Sequence, residues 1–141
     1  MKVHDVMTPD VIMVGPEATL AEAAQLMKDE DIGPLPVCES GQVFGMVTDR
    51  DIAVRAVAEG RDPKVTHVRE VMTPDVVCCF ETDEVEEAAR LMQETQLRRL
   101  LVIDDDRRLV GIVSLADIVL QTGDDRLGGE TLERVTEPPA N

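Results

Sequence analysis

Two short segments carry hydroxyl and carboxylate groups at one spacing: Thr48-Asp49-Arg50-Asp51 and Ser114-Leu115-Ala116-Asp117. A Thr or Ser followed three residues later by Asp admits two kinds of chemistry. As a capping box, the hydroxyl accepts from the backbone of the Asp and the carboxylate reaches back, which starts a helix. As a ligand site, the N–H groups and hydroxyl of that helix start attract a phosphate. The carboxylate then accepts both hydrogen bonds of a ribose cis-diol, as acidic residues do in dinucleotide sites. The two are compatible, because a cap holds the site in shape before a ligand arrives.

The remaining reactive side chains point to packing or solvation. Cys78-Cys79 lies in an apolar stretch expected to be a strand, where neighbours face opposite sides. With Cys38 they form an odd set that is no disulfide framework, so reduced, buried thiols are expected. His4 and His67 are the only histidines, and neither has a Cys or second His at zinc-like spacing. Asp104-Asp105-Asp106 lacks the alternating ligands of a calcium loop and reads as a solvated turn. No nucleophile is paired with a base. The expectation is a protein with no catalytic residues, no metal ligands and no obligatory cofactor.

The elements that position the Thr/Ser-x-x-Asp segments occur twice. Val6-Met7-Thr8-Pro9-Asp10-Val11 recurs as Val71-Met72-Thr73-Pro74-Asp75-Val76, an offset of 65 that persists through Glu22-Ala23-Ala24 and Glu87-Ala88-Ala89. One inserted residue makes it 66 from Gly45-Met46-Val47-Thr48 and Gly111-Ile112-Val113-Ser114 onward. Such a register points to a duplication. Each half opens with an extended segment, Val11 to Val14 or Val76 to Phe80. A helix follows, from about Thr19 to Glu30 with a Thr19-x-x-Glu22 capping box, or from Asp83; its apolar residues recur at helical spacing. Two short strands then flank a polar turn: Leu35–Cys38 and Val43–Val47 in the first half, Leu100–Ile103 and Leu109–Val113 in the second. A last helix begins at Thr48 or Ser114.

The order is β-α-β-β-α, twice, an α+β fold. Residues 3–60 form the first repeat, 61–67 a linker, 68–122 the second repeat, and 123–141 an acidic tail expected to fray, with at most a helical turn or two in 130–136. One repeat is marginal as an independent core. Two homologous repeats solve this by packing sheet to sheet about a pseudo-twofold axis, which leaves a cleft suited to a ligand.

Composition narrows the partners. The 141 residues carry a formal charge of −15, which argues against nonspecific binding to nucleic acid or an anionic membrane. With no Trp, no Tyr and 2 Phe, the core must be aliphatic and base-stacking platforms are missing. The opening Met-Lys-Val-His-Asp-Val has no apolar signal-peptide core. A cytoplasmic protein is expected.

The paired Met-Thr-Pro openings, Leu35-Pro36-Val37, and the segments Gly45 to Asp51 and Gly111 to Asp117 resemble the CBS domain family, in its two-repeat Bateman arrangement. The last two look like the family's Gly-x-x-Thr/Ser-x-x-Asp signature, and the resemblance spans residues 3–122. It implies a stand-alone regulatory module that binds AMP, ADP, ATP, S-adenosylmethionine or a similar adenosyl ligand, a homodimer, and an effector protein that the sequence does not identify. Matching positions imply one site from Thr48, Asp49, Arg50 and Asp51 with Asp75, Val77, Leu97, Arg98 and Arg99. The other would combine Ser114 and Asp117 with Asp10, Ile12, Ile32, Gly33 and Pro34. Only the first carries arginines, which bind phosphate bidentately, so the phosphorylated ligand is expected there. A ligand-free oligomerisation or protein-interaction scaffold is the alternative. Leu101 stands where the family has Pro, and Leu115-Ala116 is apolar where the first copy has Asp49-Arg50.

Overall fold

The computed structural model describes residues 1–123; the tail from residue 124 on, including 130–136, lies outside the described residues. The described residues form two compact units, one from Ile12–Val76, the other from Met1–Val11 with the described residues from Val77 onward.

In the Ile12–Val76 unit, helix α2 (Leu20–Glu30) leads into strands β1 (Pro34–Glu39) and β2 (Gln42–Thr48), and then α3 (Asp49–Ile52), which runs on as a π turn over Ala53–Val57. The β1–β2 hairpin is antiparallel and closes on Ser40 and Gly41, both at positive φ (53° and 81°). Two left-handed residues suit the right-handed twist of a hairpin. Leu20, Ala23 and Met27 of α2 bury against Leu35, Val37 and Val47 of the hairpin. A 3-10 turn at Val68–Glu70 completes this core with Val68, and Val71 follows it.

The second unit repeats the plan. Helix α1 (Val3–Val6) comes from the chain start; β3 (Cys78–Phe80), α4 (Val85–Thr95), β4 (Arg99–Ile103), β5 (Leu109–Ser114) and α5 (Leu115–Thr122) follow from the other end. The sheet order is β3-β4-β5, with β3–β4 parallel and β4–β5 antiparallel. Its core joins Val3 and Val6 to Ala89 and Met92 of α4, Leu100 of β4 and Ile118 of α5. The α+β class is as expected, with two sheets. Compact unit and sequence repeat do not coincide, because the opening of each repeat packs on the body of the other.

The glycine of each signature makes this exchange sterically possible. Thr73 pairs with Met46 through both backbone hydrogen bonds (2.9 and 2.8 Å), and a Cβ on Gly45 would stand 2.5 Å from the Thr73 carbonyl oxygen. Thr8 pairs with Ile112 likewise, and a Cβ on Gly111 would stand 2.6 Å from Met7 Sδ and 3.0 Å from the Thr8 carbonyl oxygen. In each hairpin one extra residue precedes that glycine as a bulge, Phe44 in β2 and Val110 in β5.

Three local expectations need correction. The strand expected at Val11–Val14 is a single parallel bridge, Val14 to Val37. Pro36 of β1 has no N–H to continue the ladder; Leu101 at the matching place in β4 has one, and there Cys78–Phe80 pair as a strand. The second repeat's first helix starts at Val85 with Glu84 as N-cap, while Asp83 accepts the Phe80 N–H (2.9 Å) and closes the preceding turn. At α2 the hydroxyl half of the box forms, with Thr19 accepting from the Glu22 N–H at 3.2 Å.

The segment from Arg61 to His67 is tied down. Thr66 is buried, its carbonyl accepts the Leu20 N–H (2.9 Å), and its hydroxyl donates to the Asp62 carbonyl (2.8 Å). Glu70 accepts from Arg61 and from the His67 backbone N–H, and these contacts hold its carboxyl below the usual range.

Candidate functional site

β2 ends and α3 begins at Thr48, which has extended backbone (φ −119°, ψ 163°). Its hydroxyl accepts the Asp51 N–H at 3.1 Å, and Asp51 Oδ2 accepts the Thr48 N–H at 3.0 Å. Ser114 and Asp117 repeat this at the β5–α5 junction, at 3.0 and 2.9 Å. Both segments are therefore complete capping boxes. Each box fixes one carboxylate oxygen and the rotamers of both side chains, and all four residues stay half-buried.

The surroundings of the boxes differ. At the first, the Asp49 N–H donates to the Gly33 carbonyl (3.2 Å), and Pro34 pairs with Thr48 across the hairpin. The Asp49 carboxylate accepts the Arg50 N–H (3.0 Å) and lies over Gly33, where a Cβ would meet Asp49 Oδ1 at 3.1 Å. At the second, the Leu115 N–H donates to the Arg98 carbonyl (2.9 Å), and Arg99 pairs with Ser114. Arg98 and Arg99 are exposed, as are Asp49 and Arg50. One box thus has an acidic neighbour over a glycine, and the other has two arginines on its flank.

The residues expected at each site divide between the units. Thr48, Asp49, Arg50, Asp51 and Asp75 belong to the Ile12–Val76 unit, where Ile12, Ile32, Gly33 and Pro34 also lie. Ser114, Asp117 and Asp10 share the other unit with Val77, Leu97, Arg98 and Arg99. Asp75 and Asp10 are exposed, Asp10 with a left-handed backbone (φ 55°). Ile12 and Ile32 pack against one core and Val77 against the other, which leaves less of these side chains for a ligand than of Leu97, exposed at 39%. Within a unit, the structure thus juxtaposes groups that the sequence comparison assigned to different sites: Gly33-Pro34 with Thr48-Asp49, and Arg98-Arg99 with Ser114.

One neighbour of the first box went unnoticed in the sequence. Arg55, inside the π turn, brings Nε to 3.9 Å from Asp51 Oδ1 and donates from Nη1 to the carbonyls of Val71 (3.0 Å) and Met72 (3.3 Å). The i, i+4 spacing of Asp51 and Arg55 was the available signal.

The other titratable groups are placed elsewhere. Cys79 is buried and its thiol is pushed up to about 12, chiefly by burial. Cys78 is half-buried rather than buried as expected, and desolvation raises its thiol too, against the pull of Arg107. A thiol held protonated is a poor nucleophile and metal ligand. His4 lies 3.7 Å from Glu81, and His67 lies 3.6 Å from Glu70. Among the described residues, no three His, Cys, Asp or Glu side chains converge to hold a metal ion, and no helix is long and apolar enough to cross a membrane.

Comparison with known proteins places this geometry in a family. The CBS domain model matches residues 3–57 and again 68–121. The CBS domain-containing protein YhcV of Bacillus subtilis is 42% identical over 134 residues, 95% of this chain and 94% of the relative. The crystal structure of Hypoxic Response Protein I, described with two coordinated zinc ions, superposes with a TM-score of 0.77 at 38% identity, covering 86% of this chain and 98% of that one. The CBS domain pair of protein MJ0100, in complex with 5′-methylthioadenosine and S-adenosyl-L-methionine, superposes at 0.72 with 29% identity, covering 89% and 98%. CBSX2 in complex with AMP gives the same four values: 0.72, 29%, 89% and 98%.

Proposed function

The chain belongs to the CBS domain family, whose paired domains are regulatory modules, and from that premise we propose that it senses an adenosyl ligand without catalysing a reaction. The ligand is AMP, ADP, ATP or S-adenosylmethionine. The observation that carries this reading is the pair of complete boxes at Thr48–Asp51 and Ser114–Asp117, which hold a hydroxyl, a carboxylate and a helix start ready for a phosphate and a ribose. Structural neighbours bound to AMP and to S-adenosyl-L-methionine support the ligand class.

Asp51 accepts the ribose hydroxyls, Thr48 and the α3 backbone serve the phosphate, and Arg98 and Arg99 add local positive charge in a chain whose net charge is −15. Asp49, Arg50, Asp75, Val77 and Leu97 complete the first site. The second, with Ser114, Asp117, Asp10, Ile12, Ile32, Gly33 and Pro34, takes a ligand without net negative charge or stays empty. Ligand binding alters a homodimer or effector interface in the cytoplasm through its different affinity for two conformations.

A second reading has one observation in its favour. Arg99 pairs with Ser114, so the phosphate-binding arginines could serve the Ser114–Asp117 box of their own unit. Thermal unfolding of the nucleotide-free chain with each ligand separates the readings. A ligand that binds only the native state adds about 2.7 kcal/mol at 100 times its dissociation constant. Loss of the AMP shift in Asp51→Ala and Arg99→Ala, with Asp117→Ala responding normally, supports the first site. Loss in Asp117→Ala and Arg99→Ala, with Asp51→Ala responding, moves the phosphate to the other box. No shift with any ligand in the parent chain leaves a ligand-free scaffold.

A further inference from the structure

Arg55 bridges Asp51, which the first site uses, and the backbone of Val71 and Met72. Asp51 has Oδ2 committed to the Thr48 N–H (3.0 Å), which leaves Oδ1 as the oxygen for a ligand, and that oxygen faces Arg55 Nε at 3.9 Å. The guanidinium is not loose: Nη1 is anchored on the carbonyls of Val71 and Met72, at 3.0 and 3.3 Å. These carbonyls end the 3-10 turn at Val68–Glu70 and precede Thr73, whose backbone pairs with Met46. A planar, permanently charged fork can hold both partners at once, which a neutral amide cannot. The residue lies in the π turn, a helix distortion often found at functional sites. Among the described residues no arginine is paired with Asp117, and the offset of 66 puts uncharged Gln121 at the position matching Arg55.

We propose that Arg55 is the positioning residue of the Asp51 site, orienting the carboxylate for a ribose cis-diol and coupling it to the Val71–Thr73 segment. This rests on the reading of Asp51 as the ribose acceptor. Arg55 touches no ligand itself; it steadies Oδ1, which it faces at 3.9 Å, for an incoming ribose. Among the described residues the second box has no such arginine, so it discriminates less against a missing hydroxyl.

The test is titration of the nucleotide-free full chain with AMP and with 2′-deoxy-AMP. The variants are Arg55→Gln and Arg55→Lys, each checked by its unfolding midpoint. The expected result is that Arg55→Gln weakens AMP about tenfold and leaves 2′-deoxy-AMP nearly unchanged. Arg55→Lys recovers much of the preference. Equal weakening of both ligands by Arg55→Gln, or an undiminished preference for AMP, overturns the positioning role while leaving the sensor intact. Failure of the parent chain to bind AMP removes the sensor reading, and the role of Arg55 with it.

Discussion

Thr48 and Ser114 each satisfy a helix start and present a hydroxyl there, so their loss has separable consequences. Removing an N-cap hydroxyl typically costs about 1 kcal/mol. Thr48→Ala and Ser114→Ala should therefore lower stability by similar amounts in urea unfolding, because both boxes have nearly the same geometry. If ligand binding uses mainly the first box, only Thr48→Ala also weakens AMP. Glu70 gives a pH dependence at the same scale. Its carboxyl is held below its ordinary value of 4.5, first by the His67 N–H and then by Arg61. A carboxyl with a depressed folded-state pKa stabilises the fold above its unfolded value, and that contribution is lost as pH falls through the folded one. Unfolding midpoints followed from pH 6 downward should thus fall less steeply below about 4.5 in Glu70→Gln than in the parent chain. Equal slopes would mean that the contacts of Glu70 contribute nothing.

The signature glycines are where elements meet most closely. At Gly45 the obstacle to a Cβ is backbone, the Thr73 carbonyl oxygen at 2.5 Å, whereas at Gly111 the nearest atom is Sδ of a flexible methionine. Gly45→Ala should therefore be the more damaging substitution, by roughly 1–3 kcal/mol, with Gly111→Ala milder; thermal or urea unfolding of both variants checks the order. The glycines, hairpins, helical faces and both capping boxes were legible in the sequence because each rests on local spacing. What was not legible depends on partners distant in sequence. The Val11–Val14 strand failed on Pro36, a missing donor in another strand. Short helical turns at Val3–Val6 and Val68–Glu70 were missed although Val3/Val6 and Val68/Val71 share an i, i+3 spacing, because one turn is too short to show a period. The contact of Arg55 with the Val71 carbonyl required a fold in which the second opening returns to the first repeat. Gly33 and Asp49, by contrast, meet where the β1–β2 hairpin continues one residue past the Pro34–Thr48 pair.

At the scale of the molecule, duplication supplies two copies of one plan, and each compact unit borrows the opening of the other repeat. Val68 and Val71 are buried with Leu20, Leu35 and Val37, not with the core of their own repeat. A fragment of residues 12–76 should therefore show a cooperative thermal transition by circular dichroism, while residues 3–60 should not, having lost both valines. The reverse order would contradict the exchange of openings. The two boxes are equally well formed but carry different charges nearby, so the whole chain is expected to distinguish its sites. The most direct measurement is calorimetric titration of the nucleotide-stripped full chain with AMP. One saturable, tight AMP per chain, lost in Asp51→Ala, is the predicted result. No saturable uptake of AMP, ADP, ATP or S-adenosylmethionine by a well-folded chain would contradict the sensor, and two equally tight AMP sites would contradict its asymmetry.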